Sequence, residues 1–418
     1  VTSTTAKARA ARPLRSRLHD ALVRLEAPTT TYYLLVIVTS TLVVFGLIMV
    51  LSASAVTSLA ASESQSAFTI FRGQAVYAAI GTVALVLASR LPVPAWKRLS
   101  VPLFVIALGL QLLVAFIGTS VNGNRNWLRF GPVSIQPSEL VKFGLVLFGA
   151  FVLTLKRDRL GQIGHVVVPF LVPGVATAFG LILIGGDLGT SIVVAGIVAA
   201  ILFASGAPLR WFAAAGASFA AVALALIVTS PNRLARFDVW LGRDTDPFGA
   251  ARQPMQGRYA LADGGWIGLG LGASREKWQW LSEPHNDFIF AIIGEELGLP
   301  GTLMVLALFG VLAYACYRLV LRSGDFFVRL ATAGAMAWIV VQALVNIGAV
   351  IGLLPVIGVP LPLVSSGGSS LITTMGVLGM LMSFARAEPG AKEALAGRPS
   401  ILRRTAAVVP SVSVRRTR

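Results

Sequence analysis

Long apolar runs separated by short polar stretches dominate this chain. They fall at 32–54, 71–89, 100–118, 138–155, 165–184, 188–206, 211–230, 287–316, 329–350 and 367–386. Each approaches the roughly 20 residues that carry a helix across the hydrocarbon core. The pattern predicts an all-α, polytopic membrane protein with about ten transmembrane helices. Two stretches break the rhythm. Residues 231–286 form a long loop of mixed polarity. Between Asn346 and Ser370 the chain carries Gly352, Pro355, Gly358, Pro360 and Pro362, then Ser365-Ser366-Gly367-Gly368-Ser369-Ser370. Proline cannot continue a helix. This stretch reads as a re-entrant Pro/Gly segment, tolerated at membrane depth only beside a protein-lined cavity. The plainer alternative is a Ser/Gly cap on the last span.

Composition narrows the class. Of 418 residues, 56% are hydrophobic and 13% charged, against roughly 25% charged in an average soluble domain. That excludes a soluble globular enzyme and a disordered chain. The net charge of +17 would suggest nucleic acid in a soluble protein. Here it reflects the excess of Lys and Arg in cytoplasmic loops, and no nucleic-acid partner is expected. Most of the 35 basic residues lie in the N-terminal tail (1–31), the even-numbered loops (Arg90, Lys97 and Arg98; Lys156, Arg157 and Arg159; Arg210; Arg318, Arg322 and Arg329) and the C-terminal tail (387–418). Both tails are therefore expected in the cytoplasm, flanking a membrane-embedded unit at 32–386. The start resembles a signal peptide, with Ser52-Ala53-Ser54-Ala55 after an apolar run. That run exceeds an ordinary h-region and many spans follow, so it is read as an uncleaved first helix, with Val1 a non-ATG start. One cysteine, Cys316, excludes an intrachain disulfide framework, and His19, His165 and His285 are too dispersed for a His-rich metal site.

The 231–286 loop holds seven basic residues, Arg233, Arg236, Arg243, Arg252, Arg258, Arg275 and Lys277, beside six acids. Long loops translocate largely regardless of charge, so the loop is compatible with an extracytoplasmic position. It is either a hydrated linker or an outer site for a phosphate-bearing substrate. Its glycines at 264, 265, 268, 270 and 272, interleaved with Trp266, Ile267, Leu269 and Leu271, predict a partly re-entrant segment at the headgroup level.

Ionisable residues at the edges of apolar runs are the functional candidates, since a charge at mid-bilayer costs on the order of 3 kcal/mol. Glu139 and Lys142, spaced i, i+3, share a helix face. They form either a structural ion pair or the lining of a substrate cavity. Arg125, beside the Asn122-Gly123 turn, is either a headgroup anchor or a diphosphate clamp. Asp187 is either an N-cap or a polar participant. Asp287, the last acid before a strongly apolar helix and flanked by Phe288, could have its pKa raised by desolvation and serve as a base. Of Glu295 and Glu296, one is expected to pair internally.

Taken in order, the blocks YYLL…GLIMVLSAS, NGNRNWL…IQPSELVK, GDLGT, LSEPHNDFIFAIIGEELG and NIGAVIGLLPVIGVPLPLVSSGGSS resemble the SEDS family (shape, elongation, division and sporulation) over residues 32–386. The wording of the first and last blocks resembles the division-type member more than the elongation-type one. The chain departs from the family pattern at Asn286, Gly186 and Ser366, where Thr, Pro and Tyr are usual.

The resemblance implies a peptidoglycan glycosyltransferase that polymerises lipid II and releases undecaprenyl diphosphate at the outer face of the cytoplasmic membrane. It implies Asp287 as the catalytic carboxylate, with Arg125, Lys142, Glu139, Asp187, His285, Arg258 and Ser369 around lipid II and the undecaprenyl-linked glycan. A class B penicillin-binding protein transpeptidase and divisome proteins are the implied partners. A divalent cation, Mg²⁺ or Mn²⁺, would also neutralise diphosphate, though no metal-ligand motif marks a site. A lipid II flippase is the competing reading, since broken helices and intramembrane charges suit transporters too. It is disfavoured because the candidate charges gather near one face: 125–142, 187 and 231–287.

Overall fold

The computed structural model describes residues 27–396, apart from 62–65, 122–123, 131–132, 163 and 279. The chain begins with three helices: α1 (Thr30–Ala61), α2 (Thr69–Arg90) and α3 (Val93–Ile117). A small antiparallel sheet follows, β1 (Thr119–Val121), β2 (Asn124–Phe130) and β3 (Val133–Ile135), in the order β1-β2-β3. Helix α4 (Pro137–Leu155) starts with Pro at its first position and Glu139 in its first turn, both favoured at a helix N-terminus. The fifth span, α5 (164–184), is composite. A short α-turn leads into a π-helical stretch, Val167–Ala176, before ordinary winding resumes at Thr177–Ile184. Pro169 and Pro173 explain the change, because each removes a backbone donor and clashes with the i−4 carbonyl of tight α-winding.

Then come α6 (Leu188–Ser205), α7 (Leu209–Val228), α8 (Pro231–Trp240), α9 (Arg252–Gly264), α10 (Ile289–Arg322), α11 (Phe326–Val350), α12 (Gly368–Arg386) and the short α13 (Ala391–Ala396). Among the described residues, nine helices are long and apolar enough to cross a membrane, and the shorter apolar Val168–Ile184 makes a tenth. The protein is thus an all-α polytopic membrane protein, with one small sheet that the hydropathy pattern did not predict.

Several boundaries differ from the sequence reading. Helix α3 begins seven residues early, so Lys97 and Arg98 lie inside it rather than in a loop. Helix α10 runs to Arg322 and takes in Arg318, which is buried. Hydropathy marks where a chain crosses lipid, whereas a helix continues into the interface. Residues 231–286 are not one irregular loop, since they contain α8 and α9. The N-terminal tail to residue 26 and the C-terminal tail from 397 lie outside the described residues. Past 386, Glu388 and Ala391 are buried and Gly390 lies close to Pro28.

Helix α10 carries the main irregularity. At about 1.5 Å per residue its 34 residues would reach about 50 Å, beyond the ~30 Å core. It breaks at Gly298, where φ is 64° and ψ −158°, just before Pro300. The loop following α9 is stitched onto this break. Leu269 N donates to Glu295 O, Gly270 N to Glu296 O and Leu299 N to Gly265 O, all at 2.9–3.1 Å. Glu295 accepts from Ser274 Oγ and the Arg275 amide, and Glu296 pairs with Lys277 Nζ at 3.1 Å and accepts from Ser52 Oγ. Both glutamates, not one, are internally satisfied. Trp266, Ile267, Trp278 and Trp280 remain exposed on the loop's outer side.

Candidate active site

Four segments converge at one end of the bundle: the β3–α4 junction, the α5–α6 turn, the stretch before α10, and the Pro/Gly segment 351–367. Side-chain bonds to backbone hold them together. Gln136 at the N-cap of α4 donates its backbone N–H to Ser369 Oγ at 3.1 Å, and its Nε2 donates to Asp187 Oδ2 at 3.0 Å. Asp187 caps α6 through the Thr190 amide and also accepts from the Thr190 hydroxyl at 2.7 Å. The cap reading of Asp187 is thus met, and the same carboxylate also ties the α4 start to the α5–α6 turn.

The Pro/Gly segment has few backbone partners of its own, so side chains from α11 supply them. Asn346 Nδ2 donates to the carbonyls of Asp287 and Val359, both at 2.8 Å, and Gln342 Nε2 donates to Pro360 O. From the other side, Ser366 N donates to His285 O and Ser365 Oγ to Asn286 O. The 285–287 strip is therefore clamped between α11 and the 365–366 turn. This meets the requirement that irregular backbone in a membrane protein be buried in protein or line a cavity.

That cavity is a narrow cleft of about 10 Å³ lined by Asp287, Phe288, Asn346, Val356, Gly358 and Val359. It holds about one water molecule, or one hydroxyl. Asp287 is partly exposed. Gly358 faces its Oδ2 with φ of 72°, where a side chain would be strained. The Asp287 pKa is pushed up to about 7, first by burial, then by the negative charges of Glu283 and Asp187, with Arg236 pulling the other way. A carboxyl poised near neutrality is suited to general acid–base work. His285 is shifted down by burial against the opposing influence of Glu283, and its Nδ1 is buried without a partner.

The other predicted residues are not all gathered here. Ser369 and Asp187 meet through Gln136. Glu139 and Lys142 do pair, at 2.8 Å, but do not line the cleft. Lys142 is 1% exposed, stacks over Trp338 and donates to Gln342 Oε1 at 2.9 Å. Since Gln342 in turn holds Pro360, the pair underpins the Pro/Gly segment from below. Arg258 is exposed, and its stem lies beside Gly352 at the edge of that segment. Arg125 turns away, donating to Ala115 O at 3.2 Å in a different crevice. In a strand, successive side chains face opposite sides, and it is Asn126 that points inward toward Gly185.

Residues missed from the site are Gln136, Asn346, Arg233 and Arg236. Arg233 Nη2 donates to Gly186 O at 2.9 Å and Arg236 Nη1 to Val356 O at 3.3 Å, so α8 lies across both site turns. Their i, i+3 spacing puts them on one face of α8, but nothing in the sequence marked 231–240 as a helix apart from the rest of the loop. Among the described residues no group of three His, Cys, Asp or Glu could by itself hold a metal ion.

A multi-span bundle with a near-neutral carboxylate beside broken backbone defines a membrane-embedded enzyme class, and comparison places the chain within it. The cell cycle protein family of FtsW, RodA and SpoVE matches residues 32–389. A probable peptidoglycan glycosyltransferase FtsW of Mycobacterium tuberculosis is 40% identical over 374 residues, covering 89% of this chain and 71% of the relative. The stage V sporulation protein E of Bacillus subtilis is 37% identical, covering 86% and 98%. Among solved structures, a chain of a peptidoglycan synthase complex superposes with a TM-score of 0.68 at 27% identity, covering 84% of this chain and 97% of that one. The rod shape determining protein RodA of Thermus thermophilus gives 0.61 at 26% identity, covering 85% and 96%. The protein belongs to the FtsW/RodA/SpoVE family, which is the SEDS resemblance read from its sequence blocks.

Proposed function

We propose that this protein is the division-type peptidoglycan glycosyltransferase, polymerising lipid II into glycan strands at the outer face of the cytoplasmic membrane. The observation that carries the reading is Asp287: a carboxylate with pKa near 7, in a cleft that admits one hydroxyl, at the membrane boundary. The acceptor sugar's hydroxyl gives its proton to Asp287 as its oxygen attacks the anomeric carbon of the growing strand. The bond from that carbon to the diphosphate breaks, and undecaprenyl diphosphate leaves. Arg236, whose charge acts on Asp287, and Arg233 on the same helix would meet the leaving charge, in the manner of preorganised cationic groups elsewhere. A divalent cation carried by the substrate diphosphate would add charge neutralisation, since Mg²⁺ commonly binds through substrate phosphates.

The reading also places both termini in the cytoplasm and the protein at the division septum. It assigns as partner a class B penicillin-binding protein packed on α10, α11 and the 231–286 region. The similarity to a chain of a peptidoglycan synthase complex supports a partner of this kind. The test is glycan-strand formation from lipid II by the purified protein, alone and with its cognate transpeptidase. Asp287→Asn keeps size and most hydrogen bonding but cannot take a proton. It is expected to lose about 10²- to 10⁴-fold in rate while still folding and binding the partner. Near-normal polymerisation by a folded Asp287→Asn protein would refute the assignment.

A further inference from the structure

A second cavity lies on the far side of the α5–α6 turn from Asp287. It is bounded by Gln111, Val114 and Ala115 of α3, Arg125 of β2, and Leu181, Ile184 and Gly185 at the end of α5. Its volume is about 120 Å³, several times the roughly 10–15 Å³ that admits one water. Two polar features stand out in otherwise apolar walls. Gln111 is 2% exposed, and its Oε1 has no hydrogen-bond partner. A buried acceptor left unsatisfied is costly, so it calls for a donor that the protein itself does not supply. Arg125 sits exposed at the rim with one N–H bonded to Ala115 O, leaving other guanidinium donors for an anion. Around the opening Phe116, Ile117 and Ile184 are among the most exposed apolar side chains of the molecule, at 61–72%, as befits a surface facing acyl chains.

We propose that this cavity is a binding site for a phosphate-bearing lipid headgroup that also carries a hydrogen-bond donor. Arg125 meets the phosphate at the rim, as guanidinium groups do. A hydroxyl or ammonium of the same headgroup reaches inward to Gln111 Oε1. The acyl or prenyl chains run down the apolar surface of α3 and α5. Arg125 therefore serves a site separate from the Asp287 cleft: Gly185 lines this cavity, whereas Asp187, two residues on, acts on Asp287 only through its charge. Only the assignment to the outer leaflet rests on the orientation proposed above. The binding chemistry stands without it. Two sources share this chemistry, a bilayer phospholipid and a prenyl-linked sugar phosphate.

The experiment is native mass spectrometry of the full-length protein in detergent, titrated with short-chain phosphatidylglycerol, phosphatidylcholine or a prenyl phosphate sugar. Phosphatidylcholine has a phosphate but no donor. Phosphatidylglycerol is expected to bind roughly five- to tenfold more tightly than phosphatidylcholine, one hydrogen bond's worth. Gln111→Leu, which fills the space without the acceptor, should abolish that preference while leaving thermal stability equal or higher. Arg125→Gln should weaken both phospholipids together. Stronger binding of the prenyl phosphate sugar, lost in the same two variants, would make the site a substrate subsite, and exclusive binding of phosphatidylglycerol would make it a phospholipid site; either result supports the proposal. Equal binding of phosphatidylglycerol and phosphatidylcholine by the parent protein, or an undiminished preference in a folded Gln111→Leu protein, would overturn it.

Discussion

The pH dependence of polymerisation offers the sharpest handle on Asp287. A base must be unprotonated to act, so activity should follow the carboxylate fraction. With its pKa raised from 3.8 to about 7, about a tenth of the molecules are competent one pH unit below the midpoint. The rate should fall about tenfold per unit under that and level off above it. An ordinary aspartate would give a flat profile from pH 5.5 to 8. The neighbours allow the midpoint to be moved in opposite directions. Arg236 lowers the Asp287 pKa and Glu283 raises it, so Arg236→Gln should shift the midpoint up and Glu283→Gln should shift it down. The assay is the initial rate of glycan formation from lipid II across pH 5.5–8.5 at substrate well below saturation, where the profile follows kcat/KM and the free protein.

Stability supplies an independent readout. A carboxyl with a higher pKa folded than unfolded holds its proton more tightly when folded. It therefore subtracts stability as pH rises from about 3.8 to about 7, and fully so above that. Asp287→Asn removes the penalty and should melt no lower than the parent at pH 8, although it is inactive. A flat profile in the parent, or shifts of the same sign in both neighbour variants, would refute the reasoning.

Other expectations follow from the packing. Neutralising Glu139 or Lys142 alone strands a buried charge and should cost roughly 3–5 kcal/mol; the double variant Glu139→Gln with Lys142→Met should regain most of the melting temperature, and its polymerisation rate then separates support from chemistry. Gly298→Ala puts a side chain where φ is 64° and ψ −158° and where the Ile267–Gly268 backbone already sits, so a loss of more than about 3 kcal/mol is expected from strain and clash combined, read as a lower melting temperature. Chelation of divalent cations should slow polymerisation, with restoration by Mg²⁺; an unchanged rate in thoroughly chelated protein would remove the metal from the proposal.

Periodicity and hydropathy made the helices legible, and the best-placed boundaries are those with a physical stop. Helix α4 begins at Pro137 and α6 begins after the cap at Asp187, both within a residue of the sequence reading. The early start of α3 was not legible, because its first turns carry Lys97, Arg98 and Ser100 and look like loop to any hydropathy sum. The small sheet was invisible for a related reason: β1 and β3 are three residues each, too short to show alternation, and β2 begins with Asn124-Arg125-Asn126, which looks like a turn. At the site, Asp287 and Asp187 could be singled out because charges beside apolar runs are conspicuous. Arg236 could not be distinguished from Arg258, since both are loop arginines and only the fold of α8 across Gly186 and Val356 separates them. Gln342 and Asn346 were hidden because a neutral amide within an apolar helix looks like any polar residue until its backbone partners are known.

Those two amides explain how an irregular site survives in a membrane. The segment from Ile351 to Gly367 cannot bond to itself as a helix does, and hydrocarbon would not solvate its carbonyls. Gln342 and Asn346, one turn apart on α11, reach two of its carbonyls, Pro360 and Val359, and Asn346 also holds that of Asp287. Lys142 fixes Gln342 from beneath, and Trp338 donates to the same Oε1 at 2.9 Å. The polar residues of the interior thus form a descending chain, from the Asp287 backbone through Asn346 and Gln342 to the Lys142–Glu139 pair. The upper end presents one carboxylate to the cleft, and the lower end carries two opposite charges that offset each other. A charged lysine at that depth is therefore explained without contact to substrate: it orients the amide that holds the Pro/Gly segment facing Asp287. Placing the reactive group at the top of a hydrogen-bonded network anchored in packed helices is what preorganises a site for proton transfer in a low-dielectric setting.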